Sequence, residues 1–162
     1  LALAAAMGWA SGLRLYAVVF LTGLAGSLGW VALPAGLKLL EQPALLVGAA
    51  YGFLGVAFGA FGAHALKARL SAEMLSVWKT AVEYQLYHAL ALLLVGLIAM
   101  QRPSIAITNA AICFAVGVLL FSGSLYVLAI SGVRWLGAIT PLGGVLLLIA
   151  WALVFWAALK HV

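Results

Sequence analysis

The chain has 162 residues, of which 68% are hydrophobic and 7% are charged, and its net charge is +5. Soluble domains carry about 25% charged and about 45–50% apolar residues, so this composition excludes a soluble globular domain. The eight basic residues lie singly between apolar runs, which excludes the basic patch that nucleic-acid binding needs. We therefore predict an all-α polytopic helical bundle in a membrane.

The first of two predicted domains covers residues 1–43 and forms an N-terminal membrane hairpin with an interfacial segment. Residues 1–13 are too short to cross a bilayer core, which takes about 20 helical residues, and we interpret them as a helical fragment. Residues 15–33 are long enough to span. Pro34 and Pro43 then enclose a segment whose leucines recur at helical spacing, which predicts a short interfacial helix.

The second predicted domain, residues 44–162, holds four core transmembrane helices. Ser71 is the predicted N-cap of the second of them. Pro141 removes a backbone donor, so we expect a kink near Thr140 in the last helix. The four predicted spans are residues 44–65, 72–100, 104–130 and 136–159.

A stripe of glycines marks one face of the first core helix. They recur every three or four residues, so all five fall within about 80° on a helical wheel. Such a stripe lets another helix approach closely, and helix packing is the favoured interpretation. The alternative is a groove for the tail of a lipid or a hydrophobic cofactor. The stripe consists of Gly48, Gly52, Gly55, Gly59 and Gly62.

Polar side chains cluster on the second core helix, across about half of its circumference, and Gln85 stands apart from them on the wheel. A polar residue at mid-membrane depth is a functional hypothesis by default. The favoured interpretation is a structural hydrogen-bonding network between helices, with proton or ion conduction and ligand contact as the alternatives. We also expect Lys79 and Glu83 to pair. The arc holds Lys79, Glu83, Tyr84, Tyr87 and His88; the expected partners of His88 are Ser122, Ser124, Tyr126 and Thr140.

The end of the first core helix carries His64, followed by Lys67 and Arg69. These residues are predicted to mark the membrane interface, with His64 in a terminal or capping hydrogen bond. A haem held by His64 and His88 is disfavoured because their depths differ by about 10 Å. No spacing typical of a metal site or a catalytic set is present. We therefore predict no catalytic residue, no metal and no cofactor, although a bound lipid fits the composition.

Three blocks of the sequence resemble a known family. They are GAFGAHALK, WKTAVEYQLYHALALL and FSGSLYVLAISGVRWLGAITPLGGVLLLIAWAL. They are similar to the small bacterial membrane family called domain of unknown function four-two-three, which is in turn similar to a small mitochondrial membrane protein of animals. The resemblance covers about residues 45–160. It implies a four-helix membrane fold in the bacterial inner membrane and no settled activity.

The first part of the chain resembles a different family. The stretch GWASGLRLYAVVFLTGLAGSLGWVALPAGLKLLEQP is similar to the start of the membrane family called domain of unknown function four-one-two-six. This resemblance covers about residues 5–48 and then stops. The chain is therefore interpreted as a fusion, joined near residues 47–51, with the N-terminal part as an added helical hairpin.

Three functions compete at this point. The first is a non-enzymatic structural or accessory subunit that packs against itself or against other membrane protein subunits. The second is a small transporter or a proton or ion channel that uses Glu83, Tyr84 and His88. The third is a module that binds membrane lipid or a hydrophobic cofactor on the glycine face.

Overall fold

The computed structural model describes the backbone of residues 2–160 and the side chains of residues 12–160. The described chain is helical throughout, with short turns between its helices. The five long helices, numbered in chain order, are α1 (Ala2–Ser27), α2 (Pro43–Phe61), α3 (Ala72–Gln101), α4 (Ile105–Ser131) and α5 (Thr140–Leu159).

Four segments are long and apolar enough to cross a membrane, which confirms the predicted helical membrane bundle. They are Pro43–Leu66, Ala72–Gln101, Ile105–Ser131 and Arg134–Leu159. Each helix packs on the next in chain order, and α2 touches α4 only slightly. The four spanning helices therefore form an open layer. In it α3 packs between α2 and α4, and α5 packs on α4.

The helix starts follow side-chain capping. Ser71 accepts a hydrogen bond from the Met74 amide at 3.2 Å, which confirms the predicted cap of α3. Ser104 caps α4 in the same way through the Ile107 amide at 3.2 Å. Both hydroxyls satisfy amide donors that the first helical turn leaves free.

The interpretation of residues 1–13 as a separate fragment was wrong. One helix, α1, runs from Ala2 to Ser27, because a single glycine inside a helix lowers its stability without ending it. The predicted span to residue 33 was also too long. Gly29 has φ +72°, and the Trp30 amide bonds the Ala25 carbonyl at 2.9 Å, a glycine-ended helix terminus that turns the chain.

Two other local predictions differ in outcome. The short interfacial helix is present as the 3-10 helix Ala35–Glu41. The prediction of a kink at Pro141 was wrong. Helix α5 begins at Thr140, so the proline lies in its first turn. An amide in the first turn has no partner within the helix, so its absence costs no hydrogen bond. A 3-10 helix, Arg134–Ala138, precedes α5.

At the contact between α4 and α5, glycines let the two helix backbones approach closely. A Cβ atom on Gly143 would collide with the backbone nitrogen of Phe121, and one on Gly117 would lie 2.7 Å from the Leu147 side chain. Glycine at these positions is therefore required by the separation of the two helices. The division between residues 43 and 44 stays a prediction, although α1 does pack on α2.

We expect Gly143→Ala to lower the free energy of unfolding by about 1–3 kcal/mol, because the added methyl forces α4 and α5 apart. Thermal unfolding in mild detergent, followed by circular dichroism, measures this loss. Gly144→Ala is the matched control: its Cβ would meet only the Phe121 ring, at 3.8 Å. Equal midpoints for the two variants would contradict the close packing.

Candidate functional site

The glycine stripe of α2 lies at contacts with neighbouring helices. Added Cβ atoms would stand 3.0 Å from the Ala89 carbonyl oxygen at Gly48 and 2.7 Å from the Leu86 side chain at Gly55. At Gly52 the Tyr16 ring of α1 occupies the space, and at Gly62 the Trp78 indole lies 2.6 Å away. Atoms of neighbouring helices thus fill the space beside these four glycines, and a groove for a ligand on this face stays a prediction. Gly59 belongs to the same helix and is half-buried.

The polar centre of the molecule is Gln85, which the wheel had separated from the polar arc. Its side chain is only 4% exposed, so its amide must find partners inside the protein. Its Nε2 donates to the Tyr51 carbonyl at 2.8 Å, and its Oε1 accepts from the Tyr126 hydroxyl at 2.9 Å. Gln85 therefore ties α3 to both α2 and α4.

Two aromatic side chains extend this connection. The Tyr51 hydroxyl donates to the Ala115 carbonyl at 2.8 Å, which links α2 directly to α4. The Trp78 indole donates to the Phe58 carbonyl at 2.9 Å, and its ring centroid lies 4.6 Å from that of Tyr126. The three helices thus share one network of hydrogen bonds and ring contacts at the depth of Gln85.

His88 is surrounded by aromatic rings, and its side chain is 7% exposed. Its Nδ1 lies 2.7 Å from the carbonyl oxygen of Tyr84, and the Trp151 indole donates to its Nε2 at 3.4 Å. An indole can only donate and a carbonyl can only accept. These two contacts assign His88 as the neutral tautomer with its proton on Nδ1. The Phe114 ring packs 5.6 Å from the imidazole.

The expected partners of His88 were wrong. Ser122 is buried, and its hydroxyl has no hydrogen-bond partner among the described residues. Ser124 and Thr140 bond each other at 2.8 Å, joining α4 to the start of α5. His88 turns instead toward Trp151, because the close packing of α5 on α4 at Gly143 brings this indole within reach of its Nε2.

The rest of the polar arc points away from the molecule. Lys79, Glu83 and Tyr87 are exposed, and the Tyr87 side chain is 63% exposed. The expected pairing of Lys79 and Glu83 is not formed, since no ion pair occurs among the described side chains. Tyr84, at 39% exposure, stacks on Phe121 with ring centroids 4.3 Å apart. The structure therefore splits the arc into a buried His88 and an exposed outer stripe.

The outer stripe, formed by Lys79, Glu83 and Tyr87, runs from the membrane boundary into the hydrocarbon layer. His88 contacts Trp151, near the middle of α5, and Gln85 contacts Tyr51, near the middle of α2. Glu83 is two residues from Gln85 and five from His88 along α3, a displacement of about 3–8 Å. The hydrocarbon half-thickness is about 15 Å. Glu83 is thus a carboxyl group that the described residues leave open to the hydrocarbon layer.

The predicted interface residues lie where the Pro43–Leu66 span ends. His64 lies in a π-helical turn, Gly62–Leu66, that ends the second span, and its side chain is exposed together with those of Lys67 and Arg69. These positions suit a membrane boundary, and the predicted capping bond of His64 is not found among the described contacts. Within the described part of the chain, no three His, Cys, Asp or Glu side chains come together.

Sequence reasoning missed Gln85, Tyr51 and Trp151. A signal for Gln85 was available in the sequence: apolar residues at positions 78, 81, 92 and 95 fall, together with 85 and 88, at spacings of three or four residues. Gln85 is the amide in the middle of that stripe, and a lone amide on an apolar face predicts a contact between helices. For Trp151 no such signal exists, since it is 46% exposed on a helix with apolar residues all round.

We expect Gln85→Leu to lower the free energy of unfolding in detergent by about 0.6–1.7 kcal/mol for each of its two inter-helix bonds. Tyr126→Phe should lose the value of one bond, and the double variant should lose less than the sum of the two, because they share an interaction. Tyr84→Phe, an exposed tyrosine whose hydroxyl makes no bond among the described contacts, is the control. Additive losses in the cycle would contradict the Gln85–Tyr126 bond.

We expect solid-state NMR of isotope-labelled histidine in lipid to place the His88 proton on Nδ1 and leave Nε2 unprotonated at neutral pH. The reason is that the Trp151 indole occupies the Nε2 lone pair. Trp151→Phe should shift the Nε2 resonance, whereas Trp156→Phe should leave it in place. A protonated Nε2 in the wild-type protein would rule out this arrangement.

Comparisons with known proteins confirm both family resemblances. The family described as "Protein of unknown function (DUF423)" matches residues 58–144, and the "Domain of unknown function (DUF4126)" matches residues 1–58. The fusion is therefore confirmed, with the family models meeting at Phe58, later than the predicted junction. No solved structure matches.

The alignments with curated relatives span nearly the whole length of those proteins. A UPF0382 membrane protein, YwdK of Bacillus subtilis, is 43% identical over 118 residues, which are 72% of this chain and 96% of that protein. The UPF0382 membrane protein SERP0230 of Staphylococcus epidermidis is 47% identical over 116 residues, 72% of this chain and 94% of that protein. The UPF0382 inner membrane protein YgdD of Escherichia coli is 41% identical over 116 residues, 72% of this chain and 88% of that protein. The chain is thus a multi-pass membrane protein that belongs to the DUF423 family.

Proposed function

We propose that this protein is a non-enzymatic structural or accessory subunit of a bacterial inner-membrane complex, docked through the outer face of α3. The observation that carries the proposal is the exposure of Glu83 on a part of α3 that the helical rise places inside the hydrocarbon layer. Ionisable residues at this depth almost always face a protein interior or a water-filled cavity. A carboxyl group that its own chain leaves uncovered therefore needs a protein surface from another subunit.

The residues around Glu83 support a helix as that surface. Tyr87 and Leu90 follow Glu83 at spacings of four and three residues, and Leu90 is 54% exposed. Such spacing is the period of a seam between two crossing helices. The docking partner is either a second copy of this chain or a larger subunit, and both give Glu83 a polar neighbour.

The buried polar groups support a structural role better than a conducting one. Gln85 uses its amide in contacts between helices, and the two nitrogens of His88 are occupied by Tyr84 and Trp151. A proton pathway needs neighbouring groups that can exchange protons. Here Glu83 is exposed while His88 is buried on another face of α3, so the arc does not form a continuous relay.

A photo-crosslinking side chain at position 87 in native membranes tests this proposal. We expect protein adducts, because a subunit covers this face. A mass of two chains would identify a homo-oligomer, and a larger different mass an accessory role in a complex. Position 119 on α4 is the matched control: Leu119 is 62% exposed against 63% for Tyr87 and also lies near mid-depth. It should give lipid adducts only.

The variant Glu83→Leu sharpens the same experiment. If Glu83 contacts a polar group of the partner, the adduct yield at position 87 should fall several-fold, whereas Glu73→Leu at the start of α3 should leave it unchanged. Lipid adducts alone at position 87, together with a monomeric protein in mild detergent, would overturn the proposed function.

A further inference from the structure

A groove opens at the membrane surface where α3 and α5 end, which is opposite to the surface where α3 begins. It has a volume of approximately 540 Å³ and lies between the C-terminal ends of α3 and α5 and the first turn of α4. This volume falls within the range of about 300–1,000 Å³ that is typical of small-molecule sites. Its apolar wall consists of Leu94, Leu97, Ile98, Ile107, Val154 and Ala157.

One end of the groove is polar. Gln101 and Arg102 line it there, at the C-terminal end of α3. Arg102 lies about 20 Å along the helix from His88 by the helical rise, which places its guanidinium in the headgroup region while the leucines reach into the hydrocarbon layer. The groove is thus apolar toward the membrane centre and cationic toward the membrane surface.

No carboxylate neutralises this cation among the described residues. Glu73 and Glu83 lie in the first half of α3, toward the other surface, and Glu41 lies beside Gly26 of α1. A second cation, Lys160, follows the end of α5 at the same surface, with its Nζ 5.1 Å from the centroid of the Trp156 ring. The charge at the rim therefore complements an anion.

We propose that this groove is a binding site for an anionic phospholipid, with an acyl chain along the apolar wall and the phosphate at Arg102. A guanidinium binds a phosphate in bidentate fashion, and basic pockets between transmembrane helices bind anionic headgroups. A free anion would leave the apolar wall uncovered, and a zwitterionic lipid would bring a second cation beside Arg102 along with its phosphate. Only a lipid with both parts fits the two ends of the groove. This site does not depend on the subunit interface on α3.

Native mass spectrometry of the purified full chain tests the site. The protein is delipidated and then supplied with phosphatidylglycerol or with phosphatidylcholine of the same acyl chains. We expect phosphatidylglycerol to be retained at about tenfold lower lipid concentration, because it keeps a net negative charge, whereas the choline ammonium of phosphatidylcholine places a further cation beside Arg102 and Lys160. Inorganic phosphate at the same concentration should not displace it, which separates a lipid from a free anion.

Two variants with matched controls locate the lipid. Arg102→Gln should remove the preference for phosphatidylglycerol, while Arg134→Gln, which deletes the same charge at the other surface, should keep it. Ala158→Phe fills the groove without changing charge and should weaken both lipids, whereas Ala152→Phe, exposed on α5 outside the groove, should not. Equal retention of both lipids by the wild-type protein, or an unchanged preference in Arg102→Gln, would overturn the proposal.

Discussion

The amide of Gln85 is the group on which the arrangement of the helices depends. In a bilayer, a buried polar group cannot find water, so it must bond within the protein or lose several kcal/mol. Its two partners lie on different helices, the Tyr51 carbonyl on α2 and the Tyr126 hydroxyl on α4. Any slide of either helix along α3 would break one of these bonds, so the amide fixes the register of three helices.

Close packing lets these bonds form. Lipid gives no hydrophobic drive to bring helices together, so association depends on van der Waals contact and on hydrogen bonds. The glycines of α2 admit the side chains of Tyr16, Leu86 and Trp78. At Gly143 the backbones of α4 and α5 themselves meet, which holds α5 where Trp151 can reach His88. The small residues and the polar network therefore stabilise the same arrangement.

The two sides of α3 have different roles because its polar residues divide between them. Gln85 and His88 face neighbours of the same chain, where their hydrogen bonds are used up. Glu83 and Tyr87 face outward, where no side chain between residues 12 and 160 covers them. Charge in the hydrocarbon layer costs free energy, so this outward face carries the proposed contact with another subunit. The groove at Arg102, in contrast, needs only lipid.

The sequence by itself determined the membrane environment, the four core spans, most of their bounds and the position of the glycine stripe, because apolar length, caps and helical period are local properties of the chain. It also divided the chain between two families. Only the tertiary structure decided which polar residues are buried, since that depends on the neighbour each helix face meets. Gln85 looked isolated on a wheel of one helix, yet it lies where three helices meet. His88 does not bond the predicted hydroxyl groups, because the packing of α5 on α4 brings the Trp151 indole to its Nε2 instead.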